Sequence, residues 1–164
     1  MNFSTCDLCD AHEAELASGS IQVLPSGFHS YGKVNRFAGP ARTLKVFEDN
    51  ALVRSTLETP GEGHVLVIDG GGSLRSALVG GNLGALAEKN HWAGVIVYGG
   101  VRDTLELQAC KVGIFALGTV PRRSARKAVG DKEVPISVGG VIVQPGDWIY
   151  ADVDGVLVSR QKID

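Results

Sequence analysis

The sequence is short of the features that mark secreted and membrane-spanning proteins. Its three cysteines are an odd number, which does not suit a disulfide scaffold and favours a reducing compartment. No apolar run approaches the ~20 residues that a membrane-spanning helix needs. The first residues lack the basic and apolar regions of a secretion signal. These absences predict a cytoplasmic protein that does not enter a membrane.

An excess of charge of one sign is also lacking. The formal net charge is −2 at pH 7, from 16 Lys and Arg residues against 18 Asp and Glu residues. A balance this close to neutral gives no electrostatic reason to expect direct binding to nucleic acid or to an anionic membrane. One basic cluster lies at residues 122–127. A solvated loop or helix face explains it, and an acidic partner would also fit it.

What is present is ordinary for a globular protein. The chain has 164 residues, of which 44% are hydrophobic and 21% are charged. This length predicts one domain, spanning residues 1–164, that is large enough to bury a core without disulfides or structural metals. The 22 glycines occur at turns and strand ends without a period. The sequence therefore predicts a loop-rich α/β or β-rich fold.

Hydrophobic periodicity predicts helices and strands in alternation through the first two thirds of the chain, followed by a last third made of strands. The predicted helices are one capped by Ser4 or Thr5 and continuing through Leu16, one opened by Asp49 or Asn50, one from Leu83 to Asn90 and one from Thr104 to Cys110. The predicted strands are 21–25, 42–47, 65–68, 94–97, 113–117, 134–138, 141–143, 147–150 and 156–159. Residues 36–40 are predicted to form a turn, and Asp154-Gly155 a hairpin turn.

Chemically, the most informative stretch is 69–106. Two glycine-rich turns and an Arg102-Asp103 pair lie at the ends of two buried strands. Glycines at strand ends let backbone N–H groups approach an anion, and the start of a helix adds a favourable field. Arg102 can bind a carboxylate through two hydrogen bonds, and Asp103 offers a hard oxygen ligand. The stretch therefore predicts a site for an anion and a metal ion.

Two weaker signals do not support a competing site. Cys6 and Cys9 form a C-x-x-C within the first helix, but no second pair completes a zinc site, and two small apolar residues on one helix face explain them. The glycines after Asp69 suggest a nucleotide or S-adenosylmethionine loop. They lack the full G-x-G-x-x-G pattern with its later acidic residue.

The spacing of four residues matches a family motif. Gly81 is followed by twenty residues, then by Arg102 and Asp103, and after two more residues by Glu106. Three further segments match the family's sequences: Thr5-x-x-Leu-Cys-Asp-Ala-His12, Asp69-Gly-Gly-Gly-Ser-Leu-Arg75 and Pro145-Gly-Asp-x-x-Tyr-Ala-Asp-x-Asp-Gly155. On these residues the chain resembles the RraA-like proteins over nearly its whole length. That family includes the regulator of ribonuclease E activity and the metal-dependent, class II 4-hydroxy-4-methyl-2-oxoglutarate aldolases.

The resemblance implies a fold and an assembly. The family's fold is a compact α/β domain that resembles the swivelling β/β/α domains, with a β-rich core and flanking helices. Its members assemble into ring-like trimers whose sites lie near the subunit interfaces. We therefore expect this fold in a single domain, and a homotrimer or a hexamer.

The resemblance also implies a role for each residue of the site. Arg102 would bind a small 2-keto acid substrate and is, with Asp103, a candidate catalytic residue. Asp103 would bind a divalent metal ion, Mg²⁺ or Mn²⁺, and Glu106 would contact that ion through water. The carboxylate of the substrate would be held by the backbone of four consecutive residues: Gly80, Gly81, Asn82 and Leu83.

The chemistry of the expected reaction agrees with these residues. Cleavage of a carbon–carbon bond next to a 2-keto acid produces a pyruvate enolate, whose charge a divalent ion stabilises as a Lewis acid. Mg²⁺ keeps several waters and needs only one or two protein carboxylates, so no His or Cys cluster is required. Decarboxylation of oxaloacetate yields the same enolate and is the expected side activity. The motif supplies no acceptor for the proton of the substrate hydroxyl, for which a metal-bound water is the hypothesis.

Two other functions fit the resemblance. One is a regulator that binds and inhibits a ribonuclease E-type RNA-degrading enzyme, but members that act only as regulators can lack the metal-binding Asp. The presence of Asp103 and Glu106 favours an enzyme. The other is a trimer that acts on a different 2-keto acid. A menaquinone methyltransferase name, which some relatives have carried, has no support in the sequence. Without the motif, Arg102-Asp103 would be interpreted as a structural ion pair at a strand end.

Overall fold

Runs rich in valine and isoleucine form the strands, and segments rich in alanine and leucine form the helices. The computed structural model describes residues 2–163, which contain five helices and twelve strands. The helices are α1 (Thr5–Ala11), α2 (Glu13–Ser18), α3 (Ala51–Leu57), α4 (Gly81–Lys89) and α5 (Thr104–Ala109). The strands are β1 (Ile21–Val23), β2 (His29–Ser30), β3 (Phe37–Lys45), β4 (Val65–Asp69), β5 (Ala77–Val79), β6 (Gly94–Val101), β7 (Gly113–Thr119), β8 (Asp131–Lys132), β9 (Ile136–Val138), β10 (Val141–Val143), β11 (Trp148–Asp152) and β12 (Gly155–Ser159).

Ten of the described strands form one mixed sheet. Its main order is β1-β12-β11-β3-β4-β6-β7-β2, while β5 pairs with β6 and β8 pairs with β3. The pairs β3–β4, β4–β6, β5–β6 and β6–β7 are parallel, and the remaining pairs are antiparallel. Strands β9 and β10 form a separate hairpin. The sheet thus has a parallel half, flanked by helices, and an antiparallel half.

Strand β3 joins the two halves, and here one prediction is wrong. Residues 37–40 were predicted to form a turn, but they pair with β11, with Phe37 opposite Ala151 and Pro40 opposite Trp148. The same strand then pairs in parallel with β4 from Ala41 onward and ends at Lys45, two residues before the predicted end. Pairing with a distant strand outweighs the local preference of glycine and proline for a turn.

The core lies on both faces of the parallel half. In β4, Leu66 and Ile68 pack with apolar side chains of α3, α4 and α5, while Val65 and Val67 pack on the opposite face with the β9–β10 hairpin and β11. Because both faces are covered, the strand is a continuous apolar run without polar alternation. The predicted α/β class, with a β-rich core and flanking helices, is confirmed.

The N-terminal segment differs in part from its prediction. The cap is confirmed, since the Ser4 hydroxyl accepts from the N–H of Asp7, but the predicted continuous helix is divided at His12 into α1 and α2. Helix α1 is joined to the antiparallel half, because both the N–H and the hydroxyl of Thr5 donate to the buried carboxylate of Asp152, at 2.8 and 2.7 Å. A tight turn does join β11 to β12, but it lies one residue earlier than predicted: Val153 and Asp154 form it, and Gly155 already pairs with Asp152.

Hydrogen bonding determines the ionisation of Asp152. Burial alone would raise the pKa of this carboxyl group, but the hydrogen bonds from Thr5 and from the backbone of Asp154 and Gly155 lower it below its usual value. The charged form is therefore favoured in the folded protein. No helix in residues 2–163 is long and apolar enough to cross a membrane.

Candidate active site

The candidate residues lie at the carboxyl ends of two neighbouring parallel strands, β5 and β6. Val79, the last residue of β5, pairs with Val101, the last residue of β6, and the N–H of Arg102 donates to the carbonyl of Val79 at 3.0 Å. Each strand leads directly into a helix, β5 into α4 and β6 into α5. The carboxyl edge of a parallel sheet, where helices begin, is a common place for ligands in α/β proteins. The register therefore brings together two turns that are about twenty residues apart in sequence.

Asp103 has an unusual backbone conformation. Its φ of 58° and ψ of 47° are in the left-handed region, which costs a residue with a side chain on the order of 1–3 kcal/mol. Asp103 precedes α5, yet its side chain does not cap that helix. Instead, its Oδ2 accepts a hydrogen bond from the N–H of Gly81 at 3.0 Å, across the site. The strained backbone thus directs the carboxylate toward the start of α4.

Space explains the two glycines at the start of α4. A Cβ on Gly80 would lie 2.6 Å from Oδ2 of Asp103, and a Cβ on Gly81 would lie 1.9 Å from Oε2 of Glu106. Both distances are far below van der Waals contact. The carboxylates of Asp103 and Glu106 therefore rest directly against consecutive glycines, which accounts for three members of the motif.

The N-terminus of α4 offers backbone donors. The N–H of Gly81 donates to the carboxylate of Asp103, and the first hydrogen bond of the helix is donated by the N–H of Gly84 to the carbonyl of Gly80. Within residues 2–163, no acceptor takes the N–H of Asn82 or that of Leu83. Free N–H groups at a helix start, together with the helix dipole, favour an anion. Of the four backbone positions proposed for the substrate carboxylate, Asn82 and Leu83 are those whose N–H groups are free.

Arg102 is only loosely held by the protein. Its Nη1 donates to the carbonyl of Pro121 at 3.4 Å, and its Nε lies 3.8 Å from Oδ2 of Asp103. A separation of 3.8 Å is too long for a hydrogen bond, and an exposed ion pair of this kind adds little stability. A simple structural ion pair therefore explains the two side chains poorly. The guanidinium has donors left for a carboxylate.

These residues surround a cleft with a volume of about 260 Å³. Residues that the sequence pattern had not assigned to the site also line it, among them Arg54 and Arg126. Arg126 belongs to the basic cluster at residues 122–127, which is the sequence feature that could have indicated its place at the site. The full lining is Asn50, Ala51, Arg54, Ala77, Gly80, Asn82, Leu83, Arg102, Asp103 and Arg126.

Asp103 lines the cleft, whereas Glu106 is not among the lining residues and packs against Gly81 beside it. Together their carboxylate oxygens fit a hard divalent cation. Oδ1 of Asp103 and both carboxylate oxygens of Glu106 have no hydrogen-bond partner among residues 2–163. No group of three or more His, Cys, Asp or Glu side chains in that range could hold a metal ion. This donor set suits an ion such as Mg²⁺, which keeps most of its waters, and does not suit a Zn²⁺ site of His and Cys.

Comparison with known proteins identifies the family. The family model described as RraA-like, Aldolase/RraA, matches residues 5–158. The chain belongs to the RraA-like family. A relative from Burkholderia multivorans, named "Putative 4-hydroxy-4-methyl-2-oxoglutarate aldolase", is 62% identical over 163 residues, covering 99% of each chain.

Solved structures of proteins with similar sequences share the fold. The RNA-processing inhibitor RraA from Thermus thermophilis is 48% identical, with a TM-score of 0.92 over 100% of this chain and 96% of that one. The S-adenosylmethionine: 2-dimethylmenaquinone methyltransferase from Geobacillus kaustophilus is 43% identical, with a TM-score of 0.92 over 98% and 97% of the chains. One fold therefore carries aldolase, inhibitor and methyltransferase names, so the site must decide among the functions.

Proposed function

We propose that the protein is a divalent-metal-dependent lyase that cleaves 4-hydroxy-4-methyl-2-oxoglutarate to pyruvate, with oxaloacetate decarboxylation as a side activity. The proposal depends on the carboxylates of Asp103 and Glu106, which pack against Gly80 and Gly81 at the edge of the cleft. Each of the two carboxylates keeps at least one oxygen without a hydrogen-bond partner among residues 2–163. The aldolase name of the 62% identical relative supports the same activity.

The residues at the cleft have complementary tasks in this reaction. Arg102 and the free N–H groups of Asn82 and Leu83 bind the carboxylate next to the keto group and orient the substrate. When the bond between C3 and C4 breaks, the C4 hydroxyl gives its proton to water and becomes the keto group of a second pyruvate. The electron pair of the bond stays on the first pyruvate fragment, so that negative charge develops at its keto oxygen until C3 takes up a proton. A divalent cation held by Asp103, with Glu106 in contact through water, would supply Lewis-acid stabilisation of that charge. Arg102 adds a second positive charge nearby.

Pyruvate release tests the proposal directly. The purified protein is incubated with 4-hydroxy-4-methyl-2-oxoglutarate or with oxaloacetate, in Mg²⁺ or Mn²⁺ and then after chelation. We expect turnover that depends on the metal and returns when the metal is restored. No turnover of either substrate by folded protein would contradict the proposal. A wider set of 2-keto acids, assayed in the same way, separates this substrate from others of its class.

A second function is favoured by the similarity to the inhibitor RraA from Thermus thermophilis. In that case we propose that the protein binds a ribonuclease E-type enzyme through a surface distinct from the cleft. A complex of this kind is expected to survive metal chelation and the change Arg102→Ala in a pull-down assay. Loss of the complex on either treatment would place the contact at the cleft and count against a separate surface.

We also propose that the chain forms a homotrimer or a hexamer, as the family does. Light scattering after size-exclusion chromatography measures the mass in solution. A monomer at micromolar concentration would contradict this assembly.

A further inference from the structure

The cleft carries more positive charge than a substrate with one carboxylate needs. Three arginines line it, Arg54, Arg102 and Arg126, while Asp103 is the one carboxylate among the lining residues. With Asp103 assigned to the cation and Arg102 to the carboxylate beside the keto group, two guanidinium groups are still to be explained. Excess positive charge in a cleft attracts a ligand with more than one negative charge.

The two remaining arginines differ in their partners. Nε of Arg54 donates to Oε1 of Glu58 at 3.0 Å, one helical turn further along, so this guanidinium is already paired. Arg126 has no ion pair and donates no side-chain hydrogen bond to any residue in 2–163. It is therefore the cation in the cleft that is free to bind a second carboxylate.

A buried carboxylate holds the loop that carries Arg126. The side chain of Asp49 is 3% exposed and has no cationic partner among the described residues. Its Oδ2 accepts from the N–H of Lys127 at 2.6 Å, and its Oδ1 accepts from the N–H of Ala128 at 3.2 Å. Backbone donors on the two residues that follow Arg126 thus satisfy a buried charge.

The residue before Arg126 is held as well. The N–H of Asn50 donates to the carbonyl of Ala125 at 3.0 Å, and the N–H of Ala125 donates to the carbonyl of Glu48 at 2.9 Å. Arg126 is therefore bracketed by contacts with residues 48–50 on both sides. Because the backbone is already fixed, only the side chain of Arg126 has to be ordered when a ligand binds.

We propose that Arg126 binds the second carboxylate of a dicarboxylic 2-keto acid and that Asp49 is the positioning residue that holds Arg126 at the cleft. The inference rests on the proposed function for the place of the first carboxylate, at Arg102 and the start of α4. It assigns a residue to the second carboxylate, which both substrates of the proposed function carry. A two-pronged arginine–carboxylate pair provides this specificity because a methyl group in the same place cannot accept hydrogen bonds.

Equilibrium binding of unreactive ligands tests the role of Arg126 without catalysis. The probes are 2-oxoglutarate and 2-oxopentanoate, which have the same chain length and differ in the second carboxylate, titrated calorimetrically in Mg²⁺. We expect the wild-type protein to prefer 2-oxoglutarate by about 10- to 100-fold. Arg126→Ala should abolish this preference and leave the affinity for 2-oxopentanoate unchanged, and Arg126→Lys should keep part of it.

Arg122→Ala is the matched control, because Arg122 lies in the same basic cluster but lines a neighbouring pocket with Glu48 and Arg75. This variant should keep the full preference. No preference in the wild-type protein, or equal weakening of both ligands by Arg126→Ala, would overturn the proposal.

Turnover separates this inference from the proposed function. The matched substrates are 4-hydroxy-4-methyl-2-oxoglutarate and 4-hydroxy-4-methyl-2-oxopentanoate, which break the same bond and differ in the second carboxylate. Arg126→Ala should lower kcat/KM for the first and spare the second. Equal losses on both would remove the inference and leave the lyase in place. A wild-type protein that turns over neither substrate, but keeps an Arg126-dependent preference in binding, would remove the lyase and leave the inference in place.

A double-mutant cycle tests Asp49. Asp49→Asn keeps the side-chain volume and one acceptor oxygen, and should weaken 2-oxoglutarate several-fold while sparing 2-oxopentanoate. In the Arg126→Ala background it should have no further effect, since the residue it positions is gone. Asp49→Glu, which keeps the charge and displaces the oxygens, is the second variant if the first does not fold. Weakening of both ligands in both backgrounds would show that Asp49 is merely structural.

Discussion

The antiparallel half of the sheet and the carboxyl edge formed by β5 and β6 use their carboxylates in opposite ways. In the antiparallel half, Asp152 and Asp147 are 3% and 5% exposed, and both are hydrogen-bonded, Asp152 to Thr5 and Asp147 to Arg160 and the N–H of Gln144. At the carboxyl edge of the parallel half, Asp103 and Glu106 are exposed and keep oxygens without partners.

The difference separates stability from function. A buried carboxylate whose oxygens are all satisfied joins elements together, and removing it leaves donors unpaired. An exposed carboxylate in a strained backbone conformation, packed against glycine, adds little to stability and is suited to binding a ligand. Four predictions test this contrast, from the largest expected effect to the smallest.

Asp103→Asn should have the largest effect. Asparagine tolerates the left-handed conformation and can still accept from Gly81, so folding should persist while the charge that holds the cation is lost. We expect kcat/KM for pyruvate release to fall by about 100- to 1,000-fold. Glu62→Gln is the control, because Glu62 is also exposed with a positive φ of 51° and lies outside the cleft. Activity within threefold of the wild type would show that Asp103 does not hold the metal.

Asp152→Ala should lower the stability of the protein and leave its activity unchanged. The change leaves the N–H and the hydroxyl of Thr5 without their acceptor, while α1 keeps its apolar contact with the antiparallel half through Leu8. We expect the free energy of unfolding in urea to fall by about 1–3 kcal/mol, with kcat/KM unchanged in the protein that remains folded. The exposed neighbour Asp154 provides the control, since Asp154→Ala removes a carboxylate that is not buried. Equal stability of the two variants would contradict the role of Asp152.

Gly81→Ala should affect activity more than stability. The added Cβ would lie 1.9 Å from Oε2 of Glu106, which can rotate away, and 2.9 Å from the Cβ of Glu106, which requires a small shift of α5. Displacing this group should lower kcat/KM by about tenfold, well within the effect of misplacing a catalytic group. A Cβ on Gly155 meets no atom within 4 Å, so Gly155→Ala is the matched control and should behave as the wild type. An unchanged rate in Gly81→Ala would exclude a role for Glu106 at that position.

The smallest effect is a dependence of stability on pH. Because the pKa of Asp152 is lowered in the folded protein, its contribution is present above the pKa of the unfolded chain and is lost as pH falls through the folded value. The difference in unfolding free energy between the wild type and Asp152→Asn should therefore be constant above about pH 5 and shrink below about pH 4. A difference that does not change with pH would mean that the charge of Asp152 is unimportant.

Prediction from the sequence succeeded where the signal was local. The apolar runs that became β4, β6 and β7 have enough residues for their period to be clear, and helix α5 ends one residue before its predicted end. Among the strands of two or three residues, β1, β9 and β10 lie within predicted strands, whereas β2, β5 and β8 were not predicted. Runs this short show little or no period. The break at His12 also left no pattern in the sequence.

At the candidate site, the motif identified Gly81, Arg102, Asp103 and Glu106 because their spacing is a property of the chain itself. The left-handed conformation of Asp103 and its bond to Gly81 could not be read from the sequence, because they depend on the pairing of β5 with β6. Arg126 was visible only as part of a basic cluster.

By itself, the sequence determined the class of fold, the order of the long elements and the candidate residues for binding an anion and a cation, since period, composition and spacing are local properties. Tertiary structure alone decided which strands are neighbours. That choice extended β3 through a predicted turn, laid two carboxylates against two glycines and brought Arg126 into the same cleft as Arg102. The physical reason is that contacts between distant segments depend on packing and on hydrogen bonds across the sheet, and no local pattern contains them.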